Sequence, residues 1–429
     1  MANSAKEKRA MIQRQGLCMS LMLTFLFAMF ALSMPATAFA AGGFPFLGVL
    51  RAGSAPEAIA VDTETHLVYI AYEGSGKVVG FDPVKGQVRW SVPLGNVVTD
   101  VQADSVTHRA YAISFSYGKR QSLFAMLDGT TGQSLLTATL NGPRSDFADD
   151  NLAIDTDHHR VFIANNQAGR VDLFLPQSQD AANPTPTAFL TTGLHTQAIA
   201  VNGRLGRLYV ADASALLLAV YDENSGKKLA SIPICHDPVP PIRVDEASGR
   251  VYVLCSAGQE LDVIDGKHNN VLARIPVAPY PEGVAFNTAT GRIYVANEGN
   301  RDNGNSDENT GTTIAVIDGQ SFTVLGTLQV GQGPDGIEAD PALRRVYIAC
   351  EDSDAVVEIS DAIDIPLQGA PNLRANATIA RAVSLLQQAT FATLGLMLAT
   401  MALATWGALL RRSHGQESPQ TPPGGASSR

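Results

Sequence analysis

The chain has 429 residues, of which 45% are hydrophobic and 17% charged, and a formal net charge of −10. That length suits one large all-β domain or two smaller ones. Residues 1–40 carry net +3 and residues 411–429 net +2, which leaves −15 on the body between them; so acidic a body repels phosphate backbones and anionic headgroups, which argues against nucleic acid and against general adhesion to anionic lipid.

Lys6, Lys8, Arg9 and Arg14 precede an apolar stretch at 17–32 and then Ala38-Phe39-Ala40. A basic region, an apolar region and an A-x-A site read as a secretory signal spanning 1–40, with an uncleaved anchor as the alternative. The mature chain then begins at Ala41. Residues 46–51 resemble the last strand of a later repeat, such as 324–330, and so predict an outer strand without its own blade.

Seven repeats follow, with blades predicted at about 55–95, 97–142, 144–193, 195–235, 237–278 and 279–331, and a seventh from 337 to 359. In every copy an Asp or Asn stands seven residues before an aromatic: Asp62–Tyr69, Asp104–Tyr111, Asp155–Phe162, Asn202–Tyr209, Asp245–Tyr252, Asn287–Tyr294 and Asp340–Tyr347. The first residue can bond the backbone two residues on and so start a turn. Four residues later come His66, His108, His159, Gly206, Gly249, Gly291 and Arg344. Glycine there points to left-handed backbone, and histidine is among the side chains enriched in that region. Three histidines thereby read as turn residues rather than ligands. An arginine comes next in six copies and Leu67 in the first, and a buried strand follows. The seventh copy stops after its third strand, before Pro366 and Pro371. Its fourth strand is predicted to be 46–51, which closes the ring and covers an edge that would otherwise template aggregation.

Residues 391–410 contain no charged side chain. Twenty helical residues reach about 30 Å, one hydrocarbon core. Arg411 and Arg412 follow, which predicts a single C-terminal span with the repeats outside the cytoplasm. The predicted order is a signal at 1–40, a propeller at 41–362, a linker at 363–390, a span at 391–410 and a Pro-, Gly- and Ser-rich cytoplasmic tail at 411–429.

Tyr209-Val210-Ala211-Asp212 and Tyr294-Val295-Ala296-Asn297, each after a D/N-x-x-x-G-R turn, resemble the YVTN-type β-propeller repeat family over residues 46–362. The resemblance implies an all-β, seven-bladed propeller. Propellers of this kind include binding and surface-layer proteins, lactonases, and electron-transfer subunits of quinoprotein amine dehydrogenases. The chain departs from the pattern in the longer loops of blades two and three, and in Cys255 and Cys350 at the last repeat position.

In a propeller the inner strands line a central channel. Aligning the copies puts Glu57, Thr99, Asp150, Gln197, Pro240, Glu282 and Asp335 at one rim position, with Glu282, Asp335 and Glu57 on consecutive blades. Glu57, Asp150, Gln197, Glu282 and Asp335 are the candidate ligand-binding residues. Converging carboxylates could bind a divalent cation such as calcium or a cationic group, could act as a general acid, or could simply cap loop amides. Cys235 and Cys255 end strands on one face of neighbouring blades; they either form a disulfide or remain two buried thiols. His195, the run Cys235-His236-Asp237 and the acidic insert 298–311, with Asp302, Asp307 and Glu308, match no compact zinc or calcium pattern. The chain has no C-x-x-C-H, P-loop or G-x-S-x-G motif. The expectation is a non-catalytic binding or scaffold module that holds a protein partner or small ligand. A lactonase-type hydrolase and a subunit of a periplasmic quinoprotein-like oxidoreductase are the alternatives.

Overall fold

The structure is a computed structural model, and it describes residues 46–119, 121–140, 151–165, 168–176, 187–193, 196–299 and 310–361. The chain divides into two units, 1–369 and 370–429, and every described residue belongs to the first. The signal at 1–40 and the span at 391–410 lie outside the described residues, among which no helix is long and apolar enough to cross a membrane.

The described residues form seven four-stranded antiparallel sheets. The inner strands are Pro56–Val61, Val97–Asp104, Leu152–Asp155, Thr196–Asn202, Pro238–Asp245, Pro281–Asn287 and Pro334–Asp340. Six sheets use consecutive strands. The seventh is completed from the other end of the chain: Phe46–Leu50 pairs antiparallel with Ala355–Ser360, with Leu50 opposite Val356 and Phe46 opposite Ile359. The predicted closure is therefore present, and it is the one non-consecutive pairing among the seven described sheets.

The core lies between adjacent sheets. Ile59, Val68, Ile70 and Val79 of blade 1 pack on Tyr347, Ala349 and Val356 of blade 7, with Leu50 at the margin. The motif aromatics Tyr69, Tyr111, Phe162, Tyr209, Tyr294 and Tyr347 are among the largest fully buried side chains. Removing such a ring from water stabilises the fold by about 1.5–3 kcal/mol each.

The turn that opens each repeat joins the blades. His66, His108, His159 and Arg344 have φ of 62°, 52°, 53° and 50°, while Gly206, Gly249 and Gly291 have 64°, 80° and 70°. The left-handed assignment thus holds in all seven copies. The histidines do more than turn. His66 Nδ1 lies 2.8 Å from Asp340 Oδ2, His108 Nδ1 lies 3.0 Å from Asp62 Oδ2, and His159 Nδ1 lies 3.6 Å from Asp104 Oδ2. Each reaches the turn acid of the preceding blade.

The arginine after the turn points the other way, to the hairpin between the third and fourth strands of the next blade. Arg345 donates to the Pro83 carbonyl at 3.0 Å, Arg250 to the Gly319 carbonyl at 2.6 Å, and Arg207 to the Lys267 carbonyl at 3.2 Å. Blade 1 has Leu67 in place of arginine; there Trp90 Nε1 donates to the Gly129 carbonyl of blade 2 at 2.8 Å.

Deleting residues 46–50 is expected to lower the thermal midpoint by roughly 10 °C or more and to promote aggregation, because it uncovers the edge of the seventh sheet. Circular dichroism melting with light scattering checks this; an unchanged midpoint would show that closure does not hold the ring.

Candidate functional site

Blades 6, 7 and 1 enter the channel by the same local device. Tyr280, Gly333 and Ala55 adopt φ of 51°, 61° and 48°. A buried proline follows each of them, at Pro281, Pro334 and Pro56, and an acid follows the proline. Pro281, Pro334 and Pro56 pair with Asn297, Cys350 and Tyr72, and the register then shifts by a bulge. The bulge lets the acid leave the ladder and point to the rim.

Neighbouring inner strands approach closely here. A Cβ on Gly283 would lie 2.0 Å from the Asp335 carbonyl oxygen, and one on Gly336 would lie 2.1 Å from that of Glu57. Only glycine allows these contacts. They bring Glu282, Asp335 and Glu57 side by side around one sector of the mouth.

Three further acids lie in the same sector. Glu73 and Glu351 follow the second strand of their blade and Glu298 lies near the end of its own, and their amides donate to the carbonyls of Ala55, Gly333 and Tyr280 at 2.8, 2.8 and 2.9 Å. Glu57, Asp335 and Glu351 each offer a carboxylate oxygen within 4.8 Å of the others. Burial raises the Asp335 carboxyl well above its ordinary range, and Glu57, Glu298, Glu282 and Glu351 add repulsion in the same direction. Ser256 Oγ donates to Glu282 Oε1 at 3.2 Å, which ties blade 5 to the cluster.

Below the rim lies a cavity of about 120 Å³, lined by Glu57, Asp335, Thr99, Asp100 and Arg243 with apolar walls that include Ile59 and Ile199. Arg243 crosses the channel. It lies 3.1 Å from Glu338 of blade 7 and donates to Gln102 of blade 2 at 3.4 Å. Gln102 in turn donates to Asp100 at 3.1 Å, and Asp100 accepts the Leu152 amide of blade 3 at 2.7 Å. Burial pushes both Asp100 and Glu338 upward, against the pull of Arg243.

Of the residues singled out from the sequence, Glu57 and Asp335 stand together and Glu282 borders them. Thr99 lines the same cavity, as does Pro240, which forms a cis bond to Pro241. Asp150, His195, the Gln197 side chain and insert residues 300–309 lie outside the described residues. Glu73, Glu298 and Glu351 escaped the sequence reading. A signal was available, since in blades 6, 7 and 1 alone an acid stands four residues after the motif aromatic. Arg243, Gln102 and Glu338 also escaped it. They stand two residues before the turn acid, where the other four blades have Ala60, Ala153, Ala200 and Ala285.

Cys235 and Cys255 are joined by a disulfide with a Cα–Cα distance of 5.8 Å, bridging blades 4 and 5. The bonded sulfur gives no thiolate to the nearby Glu260 and Asp262. Cys350 is a buried free thiol, pushed up to about 12 by burial.

Residues 49–172 match a family model described as outer membrane protein assembly factor BamB. The uncharacterized protein YncE of Salmonella typhimurium is 24% identical over 167 residues, 38% of this chain and 44% of that protein. Its Salmonella typhi counterpart is 23% identical over the same shares. The chain thus matches under half the length of these curated relatives. Among solved structures, the β-propeller domain of Cps50 (Swd1) from Myceliophteria thermophila superposes with a TM-score of 0.59 at 11% identity, covering 73% of this chain and 98% of that one. This last likeness is one of fold. Together with the seven sheets, these matches support assignment to the propeller repeat proteins.

Two outcomes test the site's framework. Gly336→Val is expected to destabilise the fold by about 1–3 kcal/mol in urea unfolding, through its clash with the Glu57 backbone. Alkylation of the denatured, unreduced protein should modify Cys350 and leave Cys235 and Cys255 unlabelled.

Proposed function

We propose that this chain is a non-catalytic binding module whose channel mouth receives a cationic group. That group is the basic side chain of a partner protein or a small cationic ligand. One observation carries the reading: the charges acting most strongly on the half-buried Asp335 all share its sign, and they come from three consecutive blades. A positive group seated among them relieves that repulsion and gains Coulombic energy in a partly water-excluded site. The rigid ring fixes the acids before the ligand arrives, which lowers the ordering cost of binding.

The description of the matching family model speaks of an assembly factor, and for this chain it supports interaction with another protein. The repeat consensus keeps the YVTN-type reading. The signal at 1–40 and the apolar segment at 391–410 support a propeller held on the periplasmic or extracellular side of the cytoplasmic membrane by a C-terminal helix.

A second reading has its own observation. Glu57, Asp335 and Glu351 bring three carboxylate oxygens close enough to hold a hard cation such as calcium. A lactonase-type hydrolase would use a divalent cation in that position. An oxidoreductase subunit remains the third reading, with its redox centre on another chain.

Calorimetric titration separates the first two. Binding of a lysine- and arginine-rich peptide is expected, at least about tenfold weaker in the Glu57→Gln, Glu351→Gln double variant and weaker at high salt. Protons neutralise the cluster, so affinity should fall as the pH is lowered from about 7.5 to about 5, with Asp335 taking a proton before an ordinary carboxyl would. Heat from calcium but none from the peptide would favour the hydrolase reading. No heat from either would remove the mouth as a cation-binding site.

A further inference from the structure

The seam between blades 3 and 4 breaks the repeat. At the second position of the third-to-fourth-strand hairpin, blades 1, 2, 5 and 6 have Pro83, Gly129, Gly266 and Gly319, and blade 4 has Glu223. Blade 4 also has Gly206 where the histidine of blades 1–3 would reach back to the preceding turn acid. Gly203 packs there against Asp155, and a Cβ on it would lie 2.3 Å from Asp155 Oδ1.

Two carboxylates consequently share one guanidinium. Asp155 and Glu223 are both 0% exposed. Arg160 Nε and Nη2 donate to Asp155 Oδ2 at 3.0 and 2.8 Å, and Nη2 also donates to Glu223 Oε1. Glu223 Oε2 is buried with no hydrogen-bond partner among the described residues. His158, with its side chain 55% exposed, approaches both acids from the solvent side, Asp155 Oδ2 at 2.8 Å and Glu223 Oε1 at 3.7 Å. The remaining charges nearby are Asp222 on the blade 4 hairpin, and Asp157, Arg204 and Glu246 around Asp155.

The seam between blades 6 and 7 is a built-in contrast. There Arg292 lies 2.9 Å from Asp361, and the turn residue is the neutral Asn287 where blade 3 has Asp155. The Asp155–Arg160–Glu223 set instead puts two fully buried carboxylates on one guanidinium, which leaves one surplus negative charge among the three.

We propose that the seam between blades 3 and 4 is a proton-operated latch: it is tightest when one proton joins the Asp155–Arg160–Glu223 set, and it loosens when that proton leaves. The proton sits on Glu223, whose second oxygen has no other donor. Burial, and then the neighbouring Asp155, push that carboxyl up to about 7. The folded state therefore binds the proton more tightly than the unfolded chain. The stabilisation is fully present below the ordinary glutamate range and is lost as the pH rises through about 7.

Hydrogen exchange of the full chain tests this at the Glu223 amide, which donates to the Gly206 carbonyl in the opening turn of the same blade and so reports release of the hairpin that carries Glu223. After correction for the intrinsic rate, opening at that amide is expected to rise about tenfold between pH 6 and pH 8.5. In Glu223→Gln the rise disappears, and urea unfolding at pH 8.5 shows at least wild-type stability. Asp155→Asn, which leaves one acid for Arg160, serves as the second variant should Glu223→Gln fold poorly, and it too should flatten the profile. His158→Gln should leave the rise in place. The same rise in Glu223→Gln and Asp155→Asn as in the wild type would overturn the latch, as would its loss in His158→Gln alone.

Discussion

Everything at the channel mouth depends on one strand pairing. Phe46–Leu50 and Ala355–Ser360 come from opposite ends of the repeat array, and their antiparallel ladder closes it. Around that joint Asp354 accepts the Ala55 amide at 2.9 Å, and Arg51 donates to the Ser353 carbonyl. Glu57 follows Ala55 by two residues, and Glu351 precedes Asp354 by three. The bonds that close the ring are thus the ones that bring the acids of the first blade against those of the last. In an open array, Glu57 would stand at one end and Asp335 and Glu351 at the other. Closing so long a loop is costly in chain entropy, and a single ladder repays it only because the apolar layer between blades 7 and 1 forms at the same time.

The other joints use a common grammar with local substitutions. A turn acid, a left-handed residue and an arginine are enough to tie a blade to both neighbours, since the histidine reaches backward and the arginine forward. Where one element is missing, another group of matching hydrogen-bonding capacity takes over, as Trp90 does for the arginine absent at Leu67. A buried hairpin carbonyl left without a donor would cost about 1–3 kcal/mol, so some replacement is required at each joint.

The fold was legible because repetition averages out local ambiguity. A single D-x-x-x-G-R stretch is weak, but seven in register fix blade number, strand order and the need for a borrowed strand. The cysteine pair was legible in position, because both residues end strands on one face of adjacent blades; the bond itself needed the 5.8 Å separation. The rim acids were legible as an alignment column. Their convergence was not, since it depends on Gly283 and Gly336 letting two backbones touch and on a bulge that no periodicity announces. Arg243 stands in an inner strand with no local pattern to mark it. Its reach across the channel joins it to Glu338 of blade 7 and Gln102 of blade 2, partners far away in sequence. The pairing at Glu223 was not legible, because nothing in its own segment shows that Arg160 and Asp155 of the neighbouring blade close over it.

Two kinds of buried acid therefore coexist in one ring, and their surroundings separate their roles. In the seams, acids meet guanidinium, imidazole or backbone amides, and the pairing explains why they are tolerated. At the mouth, Asp335 is held among Glu57, Glu282, Glu298 and Glu351, and like charges at that range oppose folding rather than favour it. A ring built only for stability would have no use for that sector. Two glycines with no room for a side chain, three proline-led bulges and the closure of the ring nevertheless all act to assemble it. A cost so specifically arranged is consistent with a ligand that offsets it. Because the sector spans the closing joint, a ligand that draws Glu57, Asp335 and Glu351 together also adds an attraction across the joint where the two ends of the repeat array meet.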